Sequence, residues 1–341
     1  MKSLVSVIIP AFDRRALLAE AVESLRRQTY PAWEAVVVDD GSSDGTQRFV
    51  ETLAAADPRI RLLNRSREPK GAPTCRNLGL AAAGGEFVVF LDSDDLLAPG
   101  CLAGRGQVMR ENPDLDFAVF QTLLFRTVAE EAGLLWNLGS EEPDLCRFAR
   151  GDSVWPINGA VWRRGFLNRL AGCDESLTCW QDVDLHIRAL ALKPRYLKRL
   201  EGEPDSFVRH HAGGSISQRG LACPEAIRSR MRVCQKATEA LAADSRQWRP
   251  SLLAAWLRLL DVGLGARQFG LCRDILNTAR DEGLLSVRQR RLWDFIVASY
   301  QVRLQDLVGA RWLKRKLMAQ SPCGLTLGCQ PYRRPAAPAA A

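Results

Sequence analysis

The 341-residue sequence predicts an α/β fold: a single mixed, mostly parallel sheet flanked by helices, followed by a C-terminal helical region. Three observations predict it. Strand-length apolar runs alternate with helix-spaced segments through the first third of the chain. Two of those runs close on turns dense in carboxylates. From Glu225 onward the apolar spacing is helical throughout.

The elements follow in order. Leu4 to Ile9 is a β-branched apolar run closed by Pro10, which reads as a buried strand. Ala16 to Arg27 places Leu17, Leu18, Ala21, Val22 and Leu25 at helical spacing. Trp33 to Val38 is a second strand, running into Asp39-Asp40-Gly41-Ser42-Ser43-Asp44-Gly45. A short helix through Phe49, Val50 and Leu53 precedes a strand at Ile60 to Leu63. Ala72 to Ala83 reads as a helix, Glu86 to Leu91 as a strand and Cys101 to Arg110 as a helix. Beyond it, Asp116 to Phe125 reads as one strand, 130–153 as a loop with short elements, and Ile157 to Arg163 as a further strand. Asp182 to Leu192 looks helical, and Ser206 to Arg219 reads as a strand entering a flexible loop. The tail from Ser321, with its Pro-Ala ending, is expected to be disordered.

Composition narrows the function classes. Ten cysteines without a C-x-x-C pair read as reduced thiols of a cytoplasmic protein, with neither a disulfide framework nor a zinc knuckle, and the N-terminus opens a strand rather than a leader. Lys and Arg stand against Asp and Glu as 27 to 30 over residues 1–220 and as 20 to 9 over 221–341. All the excess positive charge therefore lies in the second part, which suggests an anionic partner. Its basic residues are scattered along helices without a recognisable nucleic-acid module, so no nucleic-acid partner is expected. Arg311 to Leu317 is the densest cluster. With Trp312 it fits contact with an anionic membrane surface, and a solvated helix face explains it equally. No apolar stretch is long enough to span a bilayer.

Parallel sheets bind ligands beyond the carboxyl ends of their strands, where both acidic turns fall. Asp92-Ser93-Asp94-Asp95 concentrates charge that calls for a counter-cation. Hard oxygen ligands suit Mg²⁺ or Mn²⁺, shared with the phosphates of a ligand. Asp94 is the expected direct ligand, with Asp92 contacting ribose hydroxyls or metal-bound water, and Asp95 capping the following helix. Asp40 either accepts hydrogen bonds from a base or ribose or serves the turn around Gly41, and Asp44 is placed to cap a helix. Arg76 either pairs with a phosphate or covers its helix. Phe12 can shelve against a planar base. Asp182 is placed as a general base or as a helix cap. His210 and His211 point to opposite faces of a strand, so one at most reaches the metal or phosphate, while His186 reads as structural.

Together these residues resemble the family 2 glycosyltransferases, an inverting family with the GT-A nucleotide-diphospho-sugar transferase fold. The resemblance runs from Val5 to about Ser217. Val5 to Arg14 looks like the opening strand, with Asp13 where the family usually has Asn. Glu34 to Thr46 looks like its nucleotide-binding turn, Gly71 to Leu80 like its glycine-to-Arg-Asn segment, and Phe87 to Pro99 like its signature acidic turn. Gly172 to Leu177 followed by Trp180 to Leu185 is similar to the acceptor-side pattern, with Gln181 where Glu is usual. Arg209, His210 and the 213–217 stretch resemble a loop that closes over donor phosphates.

The resemblance implies a catalytic domain over 1–220, a basic helical region over 221–320 and a disordered tail over 321–341. It implies transfer of a sugar from a nucleoside-diphosphate sugar, most simply a UDP-sugar, to a glycan or lipid-linked acceptor hydroxyl. Asp182 would be the base. Pro10, Phe12, Asp13 and Asp40 would bind the donor with Arg76, Asp92, Asp94 and His210, and Asp94 and His210 would hold Mg²⁺ or Mn²⁺. It also implies a place in the cytoplasm, at most peripheral on the inner face of the membrane. A non-catalytic nucleotide-sugar-fold binding protein and a nucleotidyltransferase are the alternatives. A dinucleotide-binding oxidoreductase fails for want of a G-x-G-x-x-G turn after the first strand.

Overall fold

The computed structural model describes residues 3–129, 133–136, 139–210, 222–242, 245–305, 309–319 and 330–331. Expectations placed on His211, the 213–217 stretch and nearly all of the tail lie outside them.

The run Val5 to Ala11 forms β1, buried along its whole length. Side chains alternate across it: Val7 and Ile9 face one core with α1 (Arg15–Arg26) and α4 (Cys101–Glu111), while Ile8 faces another. β1 lies between β2 (Trp33–Asp39) and β4 (Phe87–Phe90), parallel to both. The helices α2 (Thr46–Ala56) and α3 (Ala72–Ala82), with β3 (Ile60–Asn64), complete this alternating half. Ala72–Ala82 packs so tightly on β1 that a Cβ at Gly79 would sit 2.4 Å from Ile8 Cγ2. Farther along come β5 (Leu96–Leu97), β6 (Phe117–Phe120), β7 (Thr122–Phe125), β8 (Leu134–Leu135) and β9 (Ala160–Arg163). The helices α5 (Asp144–Ala149), α6 (Arg164–Arg169) and α7 (Gln181–Ala191) are interleaved with them, and β10 (Tyr196–Arg199) and β11 (Ser206–Arg209) follow.

The central sheet has the order β10-β6-β9-β4-β1-β2-β3, with β9 antiparallel to its neighbours, as the fold class requires. A second sheet was not foreseen. The stretch read as one strand over 116–125 breaks at Gln121: β6 stays in the central sheet, while β7 joins β8, β11, β5 and β12 (Gln330–Pro331) in a smaller one. An unbroken apolar run carries no mark of such a change of partner. Likewise, Ile157–Gly159 is a turn of 3₁₀-helix, and only Ala160–Arg163 is strand.

The C-terminal helices are α8 (Pro224–Ala240), α9 (Ser245–Gly265), α10 (Phe269–Asp281), α11 (Val287–Gln301) and α12 (Ala310–Ala319). They do not form a separate core. One buried cluster runs from Ile8 and Phe90 through Leu185 and Ile187 of α7 to Trp256 and Trp293. Each such side chain contributes about 1.5–3 kcal/mol by leaving water.

His186 of α7 sits inside that cluster, as its reading as structural requires. Its ring stacks on Trp162 at 5.7 Å and 7°, with Phe148 and Trp155 beside it. Among the described residues, neither ring nitrogen has a hydrogen-bond partner. Burial first, and then Arg188, pull its pKa from 6.5 to about 3, so the buried ring is neutral. A depressed folded-state pKa means that the unfolded chain takes up the proton first. Stability is therefore intact above pH 6.5 and falls toward about pH 3, by up to about 1.4 kcal/mol per pH unit from this group. Denaturant unfolding of the wild type and His186→Phe should show a weaker pH dependence in the variant over that window.

Candidate active site

The register places three turns on one edge. Ala11 lies opposite Asp39 and Ile8 opposite Phe90, so the chain leaves β1, β2 and β4 side by side. The loop after β1 ties the other two turns together. Asp13 adopts a left-handed conformation (φ 46°). Its Oδ1 accepts the Ser43 N–H at 2.6 Å, and its own N–H donates to Ser42 Oγ at 3.0 Å. The next residue, Arg14, forms an ion pair with Asp94. Consecutive residues thus grip the two acidic turns.

Within the first turn the two aspartates differ. Asp39 is fully buried, and its Oδ2 accepts the N–H groups of Gly41 and Ser42, each at 3.0 Å. That is turn chemistry. Asp40 pairs with Arg65, just past β3, and its charge helps burial push the Cys75 thiol up to about 12. Asp44 accepts the Thr46 N–H at 3.0 Å, but the cap position of α2 is Gly45, so Asp44 steadies the turn before the helix rather than capping it. Phe12 leaves 43% of its surface exposed, with Lys70 Nζ 3.4 Å from its ring centroid. Pro10, by contrast, is buried within β1, opposite Val38.

Arg76 joins the second acidic turn to α7. Its side chain is only 6% exposed, and it donates to Asp92 Oδ1 at 2.6 Å and to Gln181 Oε1 at 3.0 Å. The Asp92 carboxylate remains 39% exposed. Asp182 is the second residue of α7, whose cap position is Trp180, so the carboxylate is not the helix cap. Its Oδ1 accepts the Val183 N–H at 2.9 Å. Burial holds the Asp182 carboxyl above the usual carboxylate range, with the Asp92 charge adding and the Arg76 charge opposing. Asp92 and Asp182 thus both feel the charge of the Arg76 guanidinium.

Asp95 corrects a sequence expectation: it does not cap α4, whose cap is Gly100. It is buried instead, accepting from Asn158 Nδ2 at 3.1 Å and from the Arg209 N–H at 2.9 Å. Burial and the charges of Asp92 and Asp94 hold its pKa well up, so it serves as a strut. Arg209 Nε also donates to the Asp94 carbonyl at 3.0 Å, which brings β11 against the acidic turn. His210 follows at once, half-buried, with its N–H on the Phe125 carbonyl at 2.7 Å.

Among the described residues, no three His, Cys, Asp or Glu side chains form a ready metal cluster. The donor set fits a shared cation better than a caged one. Asp92 is 39% exposed, while Asp94 is 16% exposed and held by Arg14, so Mg²⁺ or Mn²⁺ completed by phosphate oxygens and water would have to displace that ion pair to reach Asp94.

Sequence reasoning missed Arg65 as the partner of Asp40 and Glu175 as an anchor. Arg65 had one signal: it leaves a strand at the same edge. Asn77 Nδ2 donates to the Cys173 carbonyl at 2.8 Å and to Glu175 at 2.7 Å, and Asn77 Oδ1 accepts the Cys173 N–H at 2.8 Å. These bonds clamp α3 to the segment leading to Asp182.

Residues 6–134 match the family model described as "Glycosyl transferase family 2". A GalNAc(5)-diNAcBac-PP-undecaprenol beta-1,3-glucosyltransferase of Campylobacter jejuni is 41% identical over 106 residues, covering 31% of this chain and 34% of that protein. The UDP-Glc:alpha-D-GlcNAc-diphosphoundecaprenol beta-1,3-glucosyltransferase WfgD of Escherichia coli is 40% identical over 109 residues, 32% of this chain and 42% of its own. The chain thus spans roughly a third to two fifths of the length of such curated relatives. Residues 1–349 of S. aureus TarS, in complex with UDP, superpose with a TM-score of 0.59 at 18% identity, over 93% of this chain and 92% of that one. That likeness is one of fold.

Gly172 has φ 67°, and a Cβ there would lie 2.3 Å from Asn77 Oδ1. Gly172→Ala should therefore destabilise the protein by about 1–3 kcal/mol, read as a lower denaturant midpoint at unchanged slope.

Proposed function

We propose that the chain is an inverting glycosyltransferase of bacterial surface-glycan assembly, a reading supported by the match of residues 6–134 to glycosyl transferase family 2. It moves a sugar from a nucleoside-diphosphate sugar, most simply a UDP-sugar, to an acceptor hydroxyl. The observation that carries this reading is the Arg76 bridge from Asp92 to Gln181, which sets the exposed Asp92 carboxylate beside the half-buried, raised-pKa carboxyl of Asp182. Two relatives whose printed names specify glucosyl transfer to a diphosphoundecaprenol-linked sugar support a lipid-linked acceptor.

Roles follow from position. Phe12 gives the base an exposed ring to lie on, Pro10 and Asp13 hold the loop beneath it, and Asp40, fixed by Arg65, faces its polar edge. Asp92 takes the ribose hydroxyls. Asp94 and His210 would hold Mg²⁺ or Mn²⁺, which supplies neutralisation of the diphosphate when bound. Arg76 acts on the phosphate side through Asp92. Asp182 accepts the proton of the acceptor hydroxyl as that oxygen attacks the anomeric carbon opposite the leaving diphosphate, so a single displacement inverts the centre. A carboxyl raised by burial is a stronger base than a solvated one and suits this task. Among the described residues no helix is long and apolar enough to cross a membrane. We place the enzyme in the cytoplasm, peripheral on the inner face of the plasma membrane.

A donor screen with mass-spectrometric detection of released nucleoside diphosphate tests the activity itself. Asp182→Asn should lower turnover by about 10²-fold or more with donor affinity kept. The acid limb of the wild-type rate profile should lie above the ordinary aspartate value of 3.8, because the base works only when ionised. Asp94→Ala should remove the divalent-dependent part of donor affinity in calorimetry, and unchanged affinity would refute its role.

A further inference from the structure

The outer face of α11 is not that of an ordinary surface helix. Its inner face, Trp293, Ile296 and Val297, is buried in the shared core. Val287, Arg291, Phe295, Ala298 and Val302, at spacings of four, four, three and four residues, form one exposed stripe, and all but Arg291 are apolar. Val287 is 65% exposed, Phe295 46% and Val302 61%. The chain continues through Leu304, 42% exposed, to α12, where Trp312 is 65% exposed on the side away from the buried Leu317. Of the ten large apolar residues exposed among the described residues, five lie in this short stretch.

Charge identifies the occupant. Five exposed residues interleaved with the apolar ones are cationic: Arg288, Arg291 and Arg303 along and beyond α11, and Arg315 and Lys316 on α12. The acidic residue at the stripe's edge, Asp294, is paired with Arg290 of the same helix. Lys314 binds α12 inward to Asp261, which fixes the outward side of that helix. Exposed apolar side chains interspersed with arginine and lysine match the boundary between acyl chains and anionic headgroups. A water-exposed helix gains nothing from a Val-Phe-Val stripe.

We propose that the outer stripe of α11, with Trp312, is a docking face for an anionic lipid bilayer. It rests on the transferase reading only in its purpose, which is to bring the acceptor edge to a lipid-linked substrate. The geometry stands without that purpose. The test uses the full chain and sedimentation with vesicles of phosphatidylcholine alone or mixed with phosphatidylglycerol. Binding is expected to the mixed vesicles, to weaken with added salt, and to fall about tenfold or more in Phe295→Glu and in Arg291→Glu, with far-ultraviolet circular dichroism and nucleotide-sugar hydrolysis unchanged. Equal binding by wild type and both variants, or no wild-type binding, overturns the proposal. So does a wild-type dimer in light scattering that Phe295→Glu dissociates, since the stripe would then belong to a second copy. Asp182→Asn should sediment as the wild type does. If no nucleotide sugar is turned over while vesicle binding persists, the transferase reading fails and the docking face stands.

Discussion

The Arg76 guanidinium is almost wholly buried, and a buried cation persists only where anions and acceptors meet it. Asp92 supplies the charge and Gln181 a carbonyl oxygen, and the two come from opposite halves of the domain: one from the end of β4, the other from the start of α7. Removing Asp92 would leave the cation buried without its counter-charge, whereas Asp92, 39% exposed, is partly compensated by water. Much else follows from this contact. It holds the Asp92 carboxylate in place, and its charge opposes that of Asp92 at Asp182. A neutral amide at position 181 matters here, since Arg76 then divides its positive charge between Asp92 and Asp182 rather than among three anions.

A second layer of ionic contacts holds the edge in shape. Arg14 on Asp94, Arg65 on Asp40 and Arg209 on the Asp94 carbonyl arrive from three different strand ends. Each is matched to an oxygen in the acidic turns, so charge that would otherwise splay the loops instead draws β1, β3 and β11 together. Arg209 reaches the turn because β11 pairs with β5, which begins immediately after Asp95.

Much of the alternating half was legible in the sequence because its signals are local. A β-branched run such as Val5 to Ile9 admits few conformations, and carboxylates after a strand fall at the ligand edge of any parallel sheet. The Asp95 strut was not legible: an aspartate shortly before a helix looks like a cap, and nothing nearby announces Asn158 or Arg209, which lie far along the chain. Nor was the break at Gln121, because pairing partners distinguish β6 from β7 and side-chain type does not. The partners of Arg76 were invisible for the same reason. The α11 stripe was hidden in plain periodicity, since a helix apolar on two sides shows its second face only when the first is known to be covered.

The unbroken core has a consequence for how such chains can be recombined. The helix bearing Asp182 gives Val183, Leu185 and Ile187 to the same buried cluster that holds Trp256 and Trp293. A cut at the composition change near residue 220 would leave those apolar side chains facing water on one fragment and an open hydrophobic wall on the other. Exchange of C-terminal helices among related chains is therefore physically constrained to carry α7 along, so that Asp182 travels with the helices behind it rather than with the alternating half.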